Sequence, residues 1–183
     1  MLLLTSTDKR KYLTPFSILI CLLLLFIGNK SYAVYCVPSN PACATGSVIN
    51  NVTLLGTSLN NTSNGCSSLN GPAYSIFPVM GNLTGTVQPG TTYQLSVTTD
   101  ANCIISVWID YNLNQVFEAT EWTQVALSST ANVASFVNIT IPITATSGAA
   151  GMRVRSRISG TANGSTDACS AFGSGEAEDY TLT

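Results

Sequence analysis

The sequence predicts an all-β protein, an antiparallel β-sandwich or jelly-roll-like domain preceded by a cleaved signal peptide. Short runs of residues alternate between apolar and polar side chains, which is the pattern of strands that bury one face. Clusters of Gly, Pro, Asn and Ser separate these runs at intervals of about 8 to 14 residues, as in sandwiches and jelly rolls. No segment repeats its apolar residues with the helical period, so we expect no long helix.

The N-terminus has the features of a signal peptide. Basic residues at 9–11 precede an unbroken apolar run at 16–27, and the small residue Ala33 stands before the expected cleavage point. The run is shorter than the roughly 20 residues that span a bilayer. We therefore expect residues 1–33 to be removed and residues 34–183 to form a single secreted domain, with an uncleaved membrane anchor as the alternative.

Alternation then assigns the strands of the exported domain. The segment from Thr92 to Thr98 alternates most clearly, with Tyr93, Leu95 and Val97 on one face. The segment from 103 to 110 is apolar on nearly both faces, which is typical of a central strand. In chain order, the predicted strands are 48–59, 74–79, 83–87, 92–98, 103–110, 133–141, 152–158 and 175–183.

Cysteines of an exported chain are expected to form disulfides. The predicted mature chain has an odd number of them, so the simplest interpretation is two bridges and one free thiol. Cys36 and Cys43 flank a short Pro-containing loop that they could close, and Cys66 would then pair with Cys169. Cys103 shares the apolar face of its strand, which predicts a buried free thiol.

The charge balance excludes several classes of function. Removal of residues 1–33 leaves three arginines and no lysine against eight acidic residues, a net charge of 3 − 8 = −5. A surface so poor in cations does not bind nucleic acid, because that affinity comes mainly from Lys and Arg at phosphates. The chain has no His, which excludes Ser-His-Asp and Cys-His catalysis and imidazole zinc sites. We therefore expect a protein that is not an enzyme.

A run of oxygen-bearing side chains follows the central strand and has the spacing of a twelve-residue calcium loop. Alternate residues of such a loop present side-chain oxygens, one backbone carbonyl is added, and a distal Glu closes the shell. The sixth position is normally Gly because the turn is sharp, but here it is Gln115. The candidate ligands, at positions one, three, five, seven, nine and twelve, are Asp110, Asn112, Asn114, Val116, Glu118 and Glu121.

Two strands near the C-terminus carry opposite charges. Arg153 and Arg155 alternate with apolar residues on one strand, and Glu176, Glu178 and Asp179 lie on the last strand. If the strands are neighbours, we expect Glu176 and Glu178 to pair with the arginines as a structural charge ladder. The alternative is that one of the three acids reaches the Asp110 loop and completes a cation shell.

These motifs together resemble the GEVED domain family. The resemblance rests on several blocks in the same order, and the family pattern usually has Asp-Gly where this chain has Asn114-Gln115. The blocks are Tyr35-Cys36, Trp108-Ile109-Asp110-Tyr111-Asn112 followed by Phe117 and Glu121, Met152-Arg153-Val154-Arg155, Cys169, and the closing Gly175-Glu176-Ala177-Glu178-Asp179-Tyr180. The resemblance implies an extracellular β-sandwich module of secreted or surface proteins of bacteria, and it implies no defined activity.

The leading hypothesis for function is a non-catalytic extracellular binding or adhesion module, ordered by calcium, whose partner is an extracellular protein or a glycan. Carbohydrate binding is the main alternative, because exposed aromatic rings on a jelly roll stack on sugars. Tyr74, Tyr111 and Trp122 are the candidates for such a ligand face.

A more remote alternative is a glycoside hydrolase that uses paired carboxylates, drawn from Glu118, Glu121, Glu176 and Glu178. Such an enzyme needs one acid with a raised pKa. A cation or an opposing Arg lowers carboxylate pKa values instead, so the sequence disfavours this interpretation.

Overall fold

The computed structural model describes residues 35–38, 46–62, 66 and 73–183. The predicted signal peptide and Cys43 lie outside these residues. Among the described residues, no helix has both the length and the apolar character needed to cross a membrane.

Ten strands and two short 3₁₀ turns form the described part of the chain, which confirms the predicted all-β class. The 3₁₀ turns are Gly81–Leu83 and Ala119–Glu121. The strands are β1 Ile49–Leu54, β2 Asn60–Asn61, β3 Tyr74–Ile76, β4 Thr84–Gly85, β5 Thr92–Thr99, β6 Cys103–Ile109, β7 Trp122–Ala126, β8 Ser135–Thr140, β9 Ala150–Ile158 and β10 Ala177–Leu182.

The strands form two sheets. Sheet A has the order β2-β1-β5-β8, and all its described pairs are antiparallel. Sheet B has the order β3-β10-β9-β6-β7, and β4 also pairs with β10. The strands β3 and β4 run parallel to β10, so the sandwich is not purely antiparallel. The strand β7 is not among the predicted strands, and β3 and β4 are shorter than predicted.

The core lies between the sheets, because the apolar face of each sheet is directed at the other. The alternation predicted for 92–98 is confirmed at Leu95 and Val97, which are fully buried, while Tyr93 packs at the edge of the core. Cys103 lies in the same core as a free thiol, as predicted, and burial raises its pKa. Other members are Ile49, Val52, Leu54, Ile105, Val107, Ile109, Ile139, Met152, Val154, Tyr180 and Leu182.

The outer face of sheet B is covered by a second apolar layer. Trp108 on β6 is fully buried there with Phe117 and Ala168, and Tyr35 and Trp122 pack against them. The chain segment at Tyr35 therefore lies over the sheet. The outer face of sheet A has no comparable layer among the described residues, and its side chains are mostly polar and exposed.

The predicted disulfide pairing is wrong. Cys36 bonds to Cys169 across 133 residues, so it does not close the short loop with Cys43. Cys66 is also disulfide-bonded, and it does not pair with Cys169. The physical reason is that Cys36 lies on the outer face of sheet B, where the segment before β10 brings Cys169 within a Cα–Cα distance of 5.8 Å.

Candidate functional site

Asp110 lies directly after β6 and is completely buried. Its backbone N–H donates to the carbonyl of Gly151, which extends the pairing of β6 with β9 by one residue. Its carboxylate accepts three hydrogen bonds. The N–H of Asn114 donates to Oδ1 at 3.2 Å, and the N–H of Gln115 and the hydroxyl of Tyr35 donate to Oδ2 at 2.9 and 2.8 Å. Asp110 is thus the centre around which the following turn folds.

The turn after Asp110 is stabilised by the side-chain amide oxygens of two asparagines. The amide oxygen of Asn112 accepts the N–H of Asn114 at 2.9 Å, and that of Asn114 accepts the N–H of Val116 at 2.8 Å. Gln115 has a φ of 69°, so the sixth position needs the left-handed conformation that Gly normally supplies. A non-Gly residue in this conformation costs about 1 kcal/mol.

The far end of the loop is closed by Glu121. Its Oε1 accepts the N–H of Tyr111 at 2.8 Å, and its Oε2 accepts the N–H of Glu118 at 3.1 Å. The Glu118 side chain accepts a bond from the Asn112 amide at 2.9 Å. Positions three, nine and twelve of the predicted loop are therefore connected in the folded chain.

The pKa of Glu121 is raised, contrary to the expectation that the acids here have lowered values. Burial is the main cause, and the negative charges of Asp110 and Glu118 add to it. The bonds from the backbone N–H groups of Glu118 and Tyr111 act in the opposite direction. A negative charge at Glu121 is therefore disfavoured in a stretch that contains no basic residue.

The donor types of the loop fit calcium, which takes carboxylate, amide and carbonyl oxygens. Among the described residues, no group of three or more His, Cys, Asp or Glu side chains is arranged to hold a metal ion. A cation here would therefore depend on the amide oxygens of Asn112 and Asn114 and the carbonyl of Val116 as well as on the acids. No step of catalysis is assigned to this loop.

Tyr35 is a contact of the loop that the sequence analysis did not predict. Its hydroxyl donates to Asp110 and accepts the backbone N–H of Gly151 at 2.9 Å. Its ring stacks on Phe117 with a centroid distance of 4.4 Å. A Cβ atom at position 151 would lie 2.4 Å from the Tyr35 ring, so glycine is needed there for this approach. Burial and the bond to Asp110 raise the pKa of the hydroxyl, which stays protonated as a donor.

The charge ladder exists, but its members pair differently from the prediction. β9 and β10 are neighbours, and Arg153 lies directly opposite Asp179. Arg153 forms a bidentate pair with Asp179, with both N···O distances at 2.6 Å. Arg153 also donates to the carbonyls of Cys36 and Ala168, and Tyr74 donates its hydroxyl to Asp179 at 2.7 Å. The predicted pairing with Glu176 and Glu178 is wrong because side chains alternate, which puts Asp179 on the arginine face.

Glu176, which directly precedes β10, and Glu178 on β10 both direct their side chains towards the core. Oε2 of Glu176 accepts the backbone N–H of Ile49 at 2.8 Å, a bond that joins the two sheets. Oε2 of Glu178 accepts the hydroxyl of Tyr180 at 2.6 Å, and that hydroxyl in turn accepts a bond from Asn61 of sheet A. Both acids are completely buried, and these bonds support the structural interpretation of the motif.

The first residue of the closing motif also has a structural role. Gly175 has a φ of 94°, and a Cβ atom there would lie 2.0 Å from the carbonyl oxygen of Ser156. The backbone of β9 therefore passes too close to position 175 for any side chain. The Gly starts the strand that brings Glu176, Glu178 and Asp179 into register.

Arg155 lies beside Arg153 and is also fully buried. It donates to the carbonyls of Asp167 and Ser170, and its guanidinium lies 4.0 Å from the centroid of the Phe172 ring. The guanidinium of Arg157 lies at the same distance from that ring. The segment before β10 therefore caps the arginine face and places Cys169 beside it.

The aromatic residues predicted for a ligand face are not on an open surface. Tyr74 is 1% exposed and belongs to the arginine face. Tyr111 is half-buried and packs against the main core. Trp122 is half-buried and lies opposite Trp108 across the β6–β7 pair.

The exposed aromatic ring on a strand face is instead that of Phe136 on β8, which is 57% exposed and was not among the candidates. The sequence contains a signal for this exposure. Phe136 alternates with the apolar residues Val137 and Ile139 of β8, so it lies on the polar face of the strand.

The match to a family agrees with the resemblance seen in the sequence. Residues 104–183 match the family described as GEVED domain. This range begins in β6 and contains the Asp110 loop, the arginine strand and the closing motif, whereas Tyr35-Cys36 precedes it. Neither a curated protein nor a solved structure shows significant similarity to the chain.

Proposed function

We propose that this chain, whose residues 104–183 match the GEVED domain family, is a non-catalytic extracellular binding module stabilised by calcium at the Asp110 loop. The roles of the acids support this proposal. Glu176, Glu178 and Asp179 hold strands together through Ile49, Tyr180 and Arg153. Glu121 has the raised pKa of a general acid, but both of its oxygens accept backbone N–H bonds within the loop. The proposed module therefore acts by binding, and its disulfide suits an exported protein.

The single observation that carries the calcium proposal is the placement of two buried acids, Asp110 and Glu121, at the first and last positions of the loop. Asp110 and Glu121 are buried, and the negative charges of Asp110 and Glu118 raise the pKa of Glu121. The Arg153 guanidinium lies 4.8 Å from the ring centroid of Phe117 in the loop, but it is already paired with Asp179. A hard divalent cation would relieve this repulsion and would bind the oxygens at the spacing that the turn already has.

Thermal unfolding with EDTA and then with millimolar calcium tests this site. A ligand that binds only the folded state at a hundredfold excess over Kd adds about 2.7 kcal/mol, which corresponds to a rise in Tm on the order of 5–10 °C. The rise should disappear in Asp110→Asn. Asp100→Asn is the matched control, because Asp100 accepts a backbone N–H bond from Val48 in another part of the fold. An unchanged Tm of the wild-type protein in calcium would contradict the proposal.

A second candidate function is the binding of a neutral glycan on the outer face of sheet A. The four strands of this sheet contain no charged residue. Outward-facing Thr, Asn and Gln side chains surround the exposed ring of Phe136, and Thr92 bonds to Thr140 at 2.8 Å. Hydroxyl and amide groups pair with sugar hydroxyls, and an aromatic ring packs against their apolar face. A face without charge suits a neutral polysaccharide better than an acidic one.

An array of neutral and acidic glycans tests this candidate with two variants. Phe136→Ala should abolish binding to a neutral glycan, because the variant removes the exposed aromatic ring of this face. Ile143→Ala is the matched control, since Ile143 is 79% exposed and lies outside the strands of sheet A. Absence of any bound glycan, or equal binding by both variants, would exclude this face as the site.

A further inference from the structure

We propose that Tyr35 is a positioning residue for the calcium loop, and that the Cys36–Cys169 disulfide holds it in place. Calcium affinity would then depend on a residue that is separated from Asp110 by 75 positions in the chain. This inference rests on the calcium site of the proposed function. It assigns a role to a segment that precedes the matched GEVED domain.

The hydroxyl of Tyr35 fixes the orientation of the Asp110 carboxylate. Oδ2 accepts bonds from the Gln115 N–H and from Tyr35, and Oδ1 accepts one from the Asn114 N–H. Two of these three donors belong to the loop and move with it. Tyr35 is the donor that connects the Asp110 carboxylate to the sheet, because the same hydroxyl accepts the N–H of Gly151 on β9. Hydrogen bonds to a carboxylate fix the orientation in which it can bind a cation.

The ring of Tyr35 makes a second contact with the loop. It stacks on Phe117, which is the eighth position of the predicted loop and is 7% exposed. The planes of the two rings differ by 16°. Tyr35 therefore touches the loop at its first and eighth positions, and it holds the turn between them against sheet B.

The disulfide keeps Tyr35 over the sheet. Cys36 is the next residue, and its bond to Cys169 ties the segment to the cap that covers the arginine face. The carbonyl of Cys36 also accepts a bond from Arg153 at 2.8 Å. Without the covalent bond, ordering Tyr35 on the loop would cost the conformational entropy of the segment each time a cation binds.

Calcium titration by calorimetry on the folded protein tests the inference, with calcium alone as the ligand. Tyr35→Phe keeps the stacked ring and the disulfide and removes only the hydroxyl. Removing a group that orients a metal-binding side chain lowers metal affinity by about 10- to 100-fold, and we expect a loss in this range. The double variant Cys36→Ser with Cys169→Ser should change the affinity in the same direction.

Tyr93→Phe is the matched control, because its hydroxyl accepts a backbone N–H bond from Gln88 near sheet A. We expect this variant to keep the wild-type Kd for calcium. A Tyr35→Phe protein with a lowered Tm in EDTA but the wild-type Kd would overturn the inference, since Tyr35 would then be structural only. That result leaves the calcium site itself standing. A wild-type protein that does not bind calcium overturns both proposals.

Discussion

The outer faces of the two sheets differ in their exposure to solvent. Sheet A leaves its outer face in solvent and covers it with uncharged Thr, Asn and Gln side chains. Sheet B buries its outer face under the segment at Tyr35 and the segment before β10, and it places two fully buried arginines there. A buried charge requires specific partners, whereas an exposed amide or hydroxyl is satisfied by water. Sheet B should therefore be intolerant of substitution where sheet A is tolerant.

The cover of sheet B explains why charge is concentrated there. Arg153 donates two hydrogen bonds to the Asp179 carboxylate and one to each of two carbonyls of the covering segments. Burial alone would lower the pKa of Arg153, but Asp179 raises it above its usual value. The arginine thus joins β10, Cys36 and Ala168 at one point. The GEVED motif supplies the carboxylate for this junction.

The largest effect is expected for Asp179→Ala, which removes the partner of a buried charge. Breaking a buried ion pair from one side costs about 3–5 kcal/mol, because the remaining charge is uncompensated. For a domain of this size the loss lowers Tm on the order of 10 °C, measured by differential scanning calorimetry. Asn138→Ala on the exposed face of sheet A is the control and should stay close to the wild-type Tm. Equal losses in both variants would remove the distinction between the sheets.

Gly175→Ala should have the next largest effect. The added Cβ meets the backbone carbonyl of Ser156, which no side-chain rotation can relieve, and the left-handed φ adds to the cost. We expect a loss of about 2–4 kcal/mol in urea unfolding, the sum of overpacking and backbone strain. Gly173→Ala is the matched control two residues earlier, because a Cβ there meets nothing within 4 Å. A stable Gly175→Ala protein would show that the motif's glycine is dispensable for the register of β10.

These two positions show what the sequence could and could not reveal. Alternation identified β5, β6, β9 and β10 and placed Cys103 in the core, because a buried strand face leaves a pattern of period two. Along 175–183 the same period places Asp179 on the face opposite to Glu176 and Glu178. It did not say that the face of Asp179 would be covered, since the covering segments have no regular period.

The disulfide pairing and the exposure expected for Tyr74 were wrong for a related reason. Cys36 pairs with Cys169 because both lie over sheet B, a long-range relationship that spacing along the chain does not contain. Tyr74 is buried because it donates to Asp179, which only the parallel pairing of β3 with β10 brings near. The left-handed conformation at Gln115, by contrast, was readable from the loop spacing, because it depends on neighbouring residues alone.

A smaller effect is expected at alkaline pH for Tyr180, whose hydroxyl donates to the buried Glu178. Burial and the Glu178 charge raise the pKa of Tyr180 well above its usual value. Above about pH 10 the unfolded chain loses this proton while the folded chain keeps it, so stability falls as pH rises, by up to about 1.4 kcal/mol per pH unit. The stability that Tyr180 contributes is fully present below pH 10.

The free energy of unfolding of Tyr180→Phe, measured by urea titration, should therefore fall less steeply with pH than that of the wild-type protein between about pH 10 and 11.5. At pH 7 the variant should lose about 1 kcal/mol, because the hydrogen bonds to Glu178 and Asn61 are missing. The comparison of the two pH values separates the titration from the loss of hydrogen bonds. Parallel curves for both proteins above pH 10 would show that Tyr180 titrates normally in the folded state.

The smallest effect is expected for Asn138→Lys, which places a charge on the neutral face of sheet A. Asn138 is exposed on β8, which is the last strand in the order of its sheet, and an added Lys can extend into water. Its effect on the free energy of unfolding should therefore stay within about 0.5 kcal/mol. Folding then does not require this face to be uncharged. A stable Asn138→Lys protein that loses a bound neutral glycan would assign the neutrality of sheet A to recognition, whereas a marked loss of stability would show that the face is less open to solvent than its exposure indicates.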